Sequence, residues 1–260
     1  MAYRVRVVPN RKPRLARAEK AVKTPYGLQV VDSCVECPLI TEKLFCDLSI
    51  RALEGLDNIT SPATYPKGAI LFVEGQEPRG VFVVCSGRVK LSAGSNKGKA
   101  LILRIVEAGE VVGLPGTISG KPYEATAEAL DPIQASFIPR DLFLQFLREN
   151  AEAAVRVAEI LSNICQATYQ EVRYLGLSGS AAGKLSRFLL ELADTHGKAE
   201  NGTVRATVTF THEEIAEMIG ASRETVTRLF ASFKRRNLIE VHGSTLLIKD
   251  KPGLQRVFDE

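Results

Sequence analysis

From Arg140 to Leu175 the sequence contains neither glycine nor proline, whereas the stretch before Pro139 is broken by one or the other at short intervals. This change of texture divides the chain. Upstream lie short β-branched and aromatic runs, Ile70–Val73, Val81–Cys85, Val89–Ser92, Leu101–Val106, Ala125–Leu130 and Gln134–Ile138, separated by turn signals such as Glu74-Gly75, Ser86-Gly87 and Ala108-Gly109. That pattern predicts a small all-β roll or sandwich. Downstream, Ala154, Ala158, Leu161, Cys165, Thr168, Val172 and Leu175 alternate spacings of four and three, the seam of a left-handed coiled coil. Val155, Val157, Ile160 and Ile164 form a second apolar face on the same predicted long helix. Two apolar faces need two partners, so one is expected to pack on the β domain and the other on the same helix of a second subunit. Cys165, within the seam, reads as an inert buried thiol.

Charge is distributed unevenly. Residues 1–24 carry Arg4, Arg6, Arg11, Lys12, Arg14, Arg17, Lys20 and Lys23 against Glu19 alone, a balance of +7 in a chain whose net charge is +4. The basic character is therefore mostly a tail, read either as a solvated disordered arm or as an arm against a nucleic-acid backbone. The sequence has no apolar run long enough to span a bilayer and no signal-like stretch at its start, so a cytoplasmic location is expected. Five cysteines, unevenly spaced, fit reduced thiols or metal ligands better than a disulfide framework.

Beyond the flexible Gly176-Leu177-Ser178-Gly179-Ser180, a helix at about Ala181–Ala193 carries Leu185, Phe188, Leu189 and Leu192 on one side. Thr211-His212-Glu213-Glu214 has capping-box spacing and starts another helix. That helix breaks at Ile219-Gly220-Ala221, and Ser222 is a favourable N-cap for the next. At ~100° per residue, Arg223, Glu224, Thr227, Arg228 and Ala231 fall on one side of this last helix, while Val226, Leu229, Phe230 and Phe233 fall on the other. A polar face of that kind suits base recognition: arginine donates two bonds to guanine and glutamate accepts from cytosine. Ser222, Thr211, Thr227, Lys234, Arg235 and Arg236 are placed to meet the DNA backbone. Leu238–Val241 and Thr245–Ile248 around His242-Gly243-Ser244 predict a β-hairpin, the wing of a winged helix.

The run Ile219-Gly220-Ala221-Ser222-Arg223-Glu224-Thr225-Val226-Thr227-Arg228 closely resembles the DNA-binding domain of the Crp-Fnr regulators. Gly68-Ala69-Ile70-Leu71-Phe72, Ser86-Gly87 and Gly109-Glu110-Val111-Val112-Gly113 are similar to that family's β-roll. The resemblance covers about Leu44 to Ile248. It implies an α+β fold: an N-terminal β-roll (a double-stranded β-helix of cyclic-nucleotide-binding type), a long dimerisation helix and a C-terminal winged helix-turn-helix. The expected boundaries are a tail at 1–30, a cysteine-bearing segment and sensor domain at 31–139, the dimer helix at 140–176 and the DNA-binding domain at 177–260. The implied partners are double-stranded DNA, a second copy of the chain and RNA polymerase. The resemblance puts Arg223, Glu224 and Arg228 at base-reading positions and implies a palindrome of TGTGA-like half-sites, about one helical turn apart.

Two departures concern the signal. Cyclic-AMP-binding members supply an arginine and a serine after the Gly-Glu pair; here Gly109 and Glu110 are followed by Tyr123 and Glu124, and a carboxylate near a cyclic phosphate argues against cyclic AMP. Cys34, Cys37 and Cys46 resemble the cysteine cluster of the family's oxygen-sensing branch, which implies an iron–sulfur cluster or zinc. Ser136, however, stands where that branch has its later cysteine, which leaves three thiols where four are usual, and Cys85 lies in a predicted strand. Three readings stay open: a metal centre, a thiol-based redox sensor, or a remnant in which Phe45 and Cys46 pack the first helix. An enzyme, or a free-standing ligand-binding module without DNA function, is the rival class. The chain offers it no phosphate-binding glycine loop and only three histidines, His196, His212 and His242, none paired at metal spacing.

Overall fold

The computed structural model describes residues 26–28, 30–31, 33–37, 45–94, 100–177, 180–200 and 203–259. The basic tail thus lies outside the described residues. Two compact units divide inside one helix, the first ending at Ala167 and the second beginning at Thr168. The sequence had placed its boundaries at 139/140 and 176/177.

The N-terminal unit opens with α1 (Ile50–Asp57), which Ser49 caps by accepting from the Ala52 N–H. Eight strands follow: β1 (Ser61–Tyr65), β2 (Ile70–Phe72), β3 (Gly80–Ser86), β4 (Val89–Gly94), β5 (Ala100–Val106), β6 (Val111–Val112), β7 (Thr126–Ala129) and β8 (Ile133–Pro139). A short helix, α2 (Leu114–Ser119), separates β6 from β7. The strands form two four-stranded antiparallel sheets, ordered β1-β8-β3-β6 and β2-β7-β4-β5. Between them Phe72, Phe82, Val84, Val89, Val106, Tyr123 and Ile133 are buried in one core. The outer face of β3 belongs to a second core, where Val81 and Val83 meet Phe45, Leu53, Leu56, Phe143 and Val157. This alternation along β3 is the period of two expected of a strand covered on both faces.

Two details correct the sequence reading. The predicted strands begin at Ile70, but an earlier one, β1, carries Pro62 at the edge of its sheet, where a missing N–H costs no ladder bond. The predicted single long helix is two, α3 (Arg140–Glu149) and α4 (Ala151–Leu177). Asn150 leaves helical geometry at φ −126°, ψ 89°, and its side chain and N–H both donate to Phe146 O. Asparagine can end a helix in this way without glycine or proline.

The C-terminal unit contains α5 (Ala181–His196), β9 (Lys198–Glu200), β10 (Thr203–Thr207), α6 (His212–Ile219), α7 (Arg223–Arg235), β11 (Ile239–His242), β12 (Thr245–Ile248) and α8 (Lys251–Asp259). The predicted wing hairpin is β11 and β12, and β12 also pairs with β10 to build the sheet β11-β12-β10-β9. Leu185, Leu189, Ile215, Val226, Phe233, Ile239, Leu246 and Leu254 form its buried core. At roughly 1.5–3 kcal/mol for each large side chain, such a core is the main term holding the helix pair against the wing.

Candidate nucleic-acid interface

The helix pair is set by local chemistry at three points. Thr211 Oγ1 accepts from the Glu214 N–H (3.2 Å), and the Glu214 carboxylate accepts from the Thr211 N–H (2.6 Å), which closes the capping box of α6. Gly220 ends α6 at φ 64°, a left-handed conformation that glycine adopts without strain, and donates to Ala216 O. Ser222 then starts α7 by accepting from the Thr225 N–H (3.2 Å).

The face of α7 turned away from this core is open. Val226, Phe230 and Phe233 are buried, whereas Arg223, Glu224, Thr227, Arg228 and Ala231 are exposed. Glu224 is held below the usual carboxylate range, first by its own backbone N–H at the helix start, then by the Ser222 hydroxyl, with Arg223 and Arg228 adding to these. It is therefore an ionised acceptor between two guanidinium groups. Lys234, Arg235 and Arg236 are exposed at the other end. Together these side chains present base-edge donors, one acceptor and phosphate-neutralising cations along one exposed surface.

His212, in the capping box, is a further part of this surface. Its Nδ1 lies 3.0 Å from Thr227 Oγ1, and its ring stacks on Phe230 with centroids 4.9 Å apart. It thereby ties the first turn of α6 to the middle of α7. Burial, and then the charges of Lys234 and Arg223, hold its pKa below the ordinary histidine value. Thr227 also donates to Arg223 O (3.0 Å), so its hydroxyl is engaged within the motif.

The other predicted sites fare differently. Gly109 is buried, at φ 88°, and donates to Val84 O (2.6 Å). Glu110 pairs with Arg104 and accepts from the Glu107 N–H (2.7 Å). Tyr123, expected at an effector pocket, is instead a core residue: its hydroxyl donates to Gly80 O (2.6 Å) and its ring stacks 4.0 Å from that of Phe72. Glu124 is exposed. On α4, Ala158, Cys165, Thr168 and Val172 are exposed and Ala154 is half-buried, while the Leu175 side chain lies outside the described residues. Cys165, expected to be buried, is exposed within this single chain. Leu161, assigned to the same seam, packs against the N-terminal core, and Val155, placed on the second apolar face, is exposed. The side of α4 packed on the N-terminal core is Ala153, Val157, Ile160 and Leu161, which draws residues from both expected faces.

Cys37 and Cys46 are buried and Cys34 is half-buried, and none of the three is in a disulfide. Burial raises Cys34 well above the usual thiol range, with Asp57 adding to it, and pushes Cys46 up to about 12, with Cys37 and Cys85 adding. Cys46 and Phe45 do pack against α1, as one of the three readings required. Among the described residues no three cysteine, histidine or acidic side chains are gathered closely enough to hold a single metal ion.

A capped helix pair with a polar, arginine-bearing second helix and a paired wing, beside a separate two-sheet β-roll, defines a winged-helix DNA-binding regulator. Residues 62–150 match the family model of the cyclic nucleotide-binding domain, and residues 183–257 match that of the Crp-like helix-turn-helix domain. A CRP-like cAMP-activated global transcriptional regulator of Mycobacterium tuberculosis is 27% identical over 213 residues, covering 82% of this chain and 95% of that protein. Electron transport regulator A of Shewanella oneidensis is 26% identical over 218 residues, covering 84% and 86%. Among solved structures, a CooA mutant from Carboxydothermus hydrogenoformans matches with a TM-score of 0.68 at 26% identity, over 78% of this chain and 89% of that one. The chain belongs to the Crp-Fnr family: it is a Crp-like transcription regulator with a helix-turn-helix DNA-binding domain. Among the described residues no helix is long and apolar enough to cross a membrane.

Proposed function

We propose that the protein works in the cytoplasm as a homodimeric, sequence-specific regulator that reads a palindrome of TGTGA-like half-sites and acts on transcription together with RNA polymerase, without catalysing a reaction. The observation that carries this reading is the exposed triad Arg223, Glu224 and Arg228 at the capped start of α7. Arg223 and Arg228 serve guanine edges, Glu224 serves a cytosine amine, and Lys234, Arg235 and Arg236 hold phosphates. Two such helices in a two-fold dimer meet half-sites one turn apart. The exposed Ala158, Cys165, Thr168 and Val172 along α4 supply the dimer seam.

The β-roll is the sensor, and its ligand is not cyclic AMP. The M. tuberculosis relative is named as cAMP-activated. Here Tyr123 is committed to the core, Glu124 presents a carboxylate, and Glu110 is paired with Arg104. An electrophoretic shift assay tests the DNA reading. The wild-type protein is expected to retard a TGTGA palindrome at moderate salt in preference to a scrambled duplex, and Arg223→Ala to lose that preference. Equal retardation of both duplexes by the wild type would refute it.

A further inference from the structure

The two ring nitrogens of His212, the first residue of α6, are in different states. Nδ1 lies 3.0 Å from Thr227 Oγ1, and the Thr227 hydroxyl donates to Arg223 O, also at 3.0 Å. A hydroxyl has one proton and a carbonyl oxygen has none to give, so the Thr227 proton is committed to Arg223 O. Thr227 Oγ1 is therefore an acceptor toward His212, and Nδ1 holds the ring proton. A neutral imidazole carries a single N–H, which leaves Nε2 as a bare acceptor. Among the described residues Nε2 has no hydrogen-bond partner. The ring is held in place by Phe230, on which it stacks and which is buried in the core of the C-terminal unit.

The electrostatic surroundings of the ring are basic. The charges that act on it are those of Lys234 and Arg223, both from α7, and no acidic group of α6 or of the neighbouring α5 is among them. Glu214, two residues along α6, is turned into the capping box, where it accepts from the Thr211 N–H and hydroxyl. His212 thus meets the middle of α7, at Thr227 and Phe230, with an exposed cation toward each end of that helix. Burial and the two cations together disfavour a second proton on the ring in the free protein. The residue is nevertheless only half-buried and belongs to the same surface as the exposed Arg223, Thr227 and Arg228.

A DNA phosphate reverses both effects. Its anionic oxygens accept hydrogen bonds and cannot donate them, so one bonds to Nε2 only when that nitrogen carries a proton. Its negative charge offsets Arg223 and Lys234 and favours the imidazolium. We propose that the protein takes up a proton at His212 Nε2 when DNA seats against α7, so that its affinity for DNA rises as pH falls through the histidine range. The proton comes from solvent, Nε2 gains an N–H that donates to a phosphate oxygen, and Nδ1 keeps its bond to Thr227. An arginine at this place would carry its charge at every physiological pH and a glutamine would carry none, whereas histidine makes the contact conditional. The inference deepens the DNA reading proposed above and rests on it for a phosphate that reaches His212.

The test is anisotropy titration of the full chain with the TGTGA palindrome and with a scrambled duplex, at constant salt from about pH 8 to about pH 5.5. Calorimetry of the wild type in buffers of different ionisation heat counts the protons directly and needs no variant. Wild-type affinity is expected to rise by up to about tenfold per pH unit for each proton taken up, with calorimetry reporting net uptake. His212→Arg, whose charge is permanent, is expected to lose the slope and to bind at pH 8 about as tightly as the wild type does at the acid end. His212→Gln is expected to lose the slope and to bind weakly throughout, with the wild-type circular dichroism. A wild-type affinity independent of pH, or a slope that survives in His212→Arg, overturns the inference. Equal binding of both duplexes with the slope present removes the sequence reading and leaves this one, palindrome preference without a slope does the reverse, and binding to neither duplex overturns both.

Discussion

Arg223 and Arg228 lie in the first two turns of α7, and both are exposed. Arg223→Ala is expected to remove roughly 1–3 kcal/mol of discrimination between the palindrome and a duplex altered at the contacted base pair. Lys234→Ala, at the far end of the helix, is expected to weaken binding to all duplexes alike and to flatten the salt dependence, which anisotropy titrations at several salt concentrations would separate. Ser222 does a different kind of work, because its hydroxyl accepts the Thr225 N–H at the start of α7. Ser222→Ala is expected to cost about 1 kcal/mol of unfolding free energy, measured by urea denaturation. The polar face and both caps were legible in the sequence because helical period and cap spacing are local. Tyr123 was not: the family resemblance located it near an effector site, but only the tertiary packing shows its ring stacked on Phe72.

Among the elements, the α6–α7 pair depends on a titratable contact. His212 bridges to Thr227 and stacks on Phe230, and burial, helped by Lys234 and Arg223, lowers its pKa. A lowered folded-state value means that the unfolded chain takes up the proton first as pH falls. The stabilisation from neutral His212 is therefore full above about 6.5, the ordinary histidine value, and is lost as pH falls through the lower folded value. His212→Gln is expected to abolish that part of the pH dependence in urea denaturation of the C-terminal unit. In the β-roll, a Cβ on Gly80 would run into the Ile138 carbonyl where β3 crosses β8. Gly80→Ala should cost about 3 kcal/mol or more, visible as a lowered melting temperature of the N-terminal unit. The strands bounded by glycine turns could be read directly, while β1 was hidden by Pro62 and the break at Asn150 lacked any glycine or proline signal.

At the scale of the whole molecule, function depends on presenting two α7 helices at once. Thr168 and Val172 are exposed on α4, and Val172 at 60% exposure contributes little to the folding of its own chain. Val172→Glu is expected to yield a folded monomer in sedimentation experiments and to bind the palindrome no better than a single half-site. Palindrome reading by a dimer can be measured by competition between labelled duplexes at about physiological salt: a full TGTGA palindrome, a single half-site and a scrambled sequence of the same composition. The palindrome is expected to bind at least about 10³-fold more tightly than the scrambled duplex, with the half-site in between. Equal affinities for all three, falling together as salt rises, would show that the basic face of α7 neutralises phosphates without reading sequence and would contradict it.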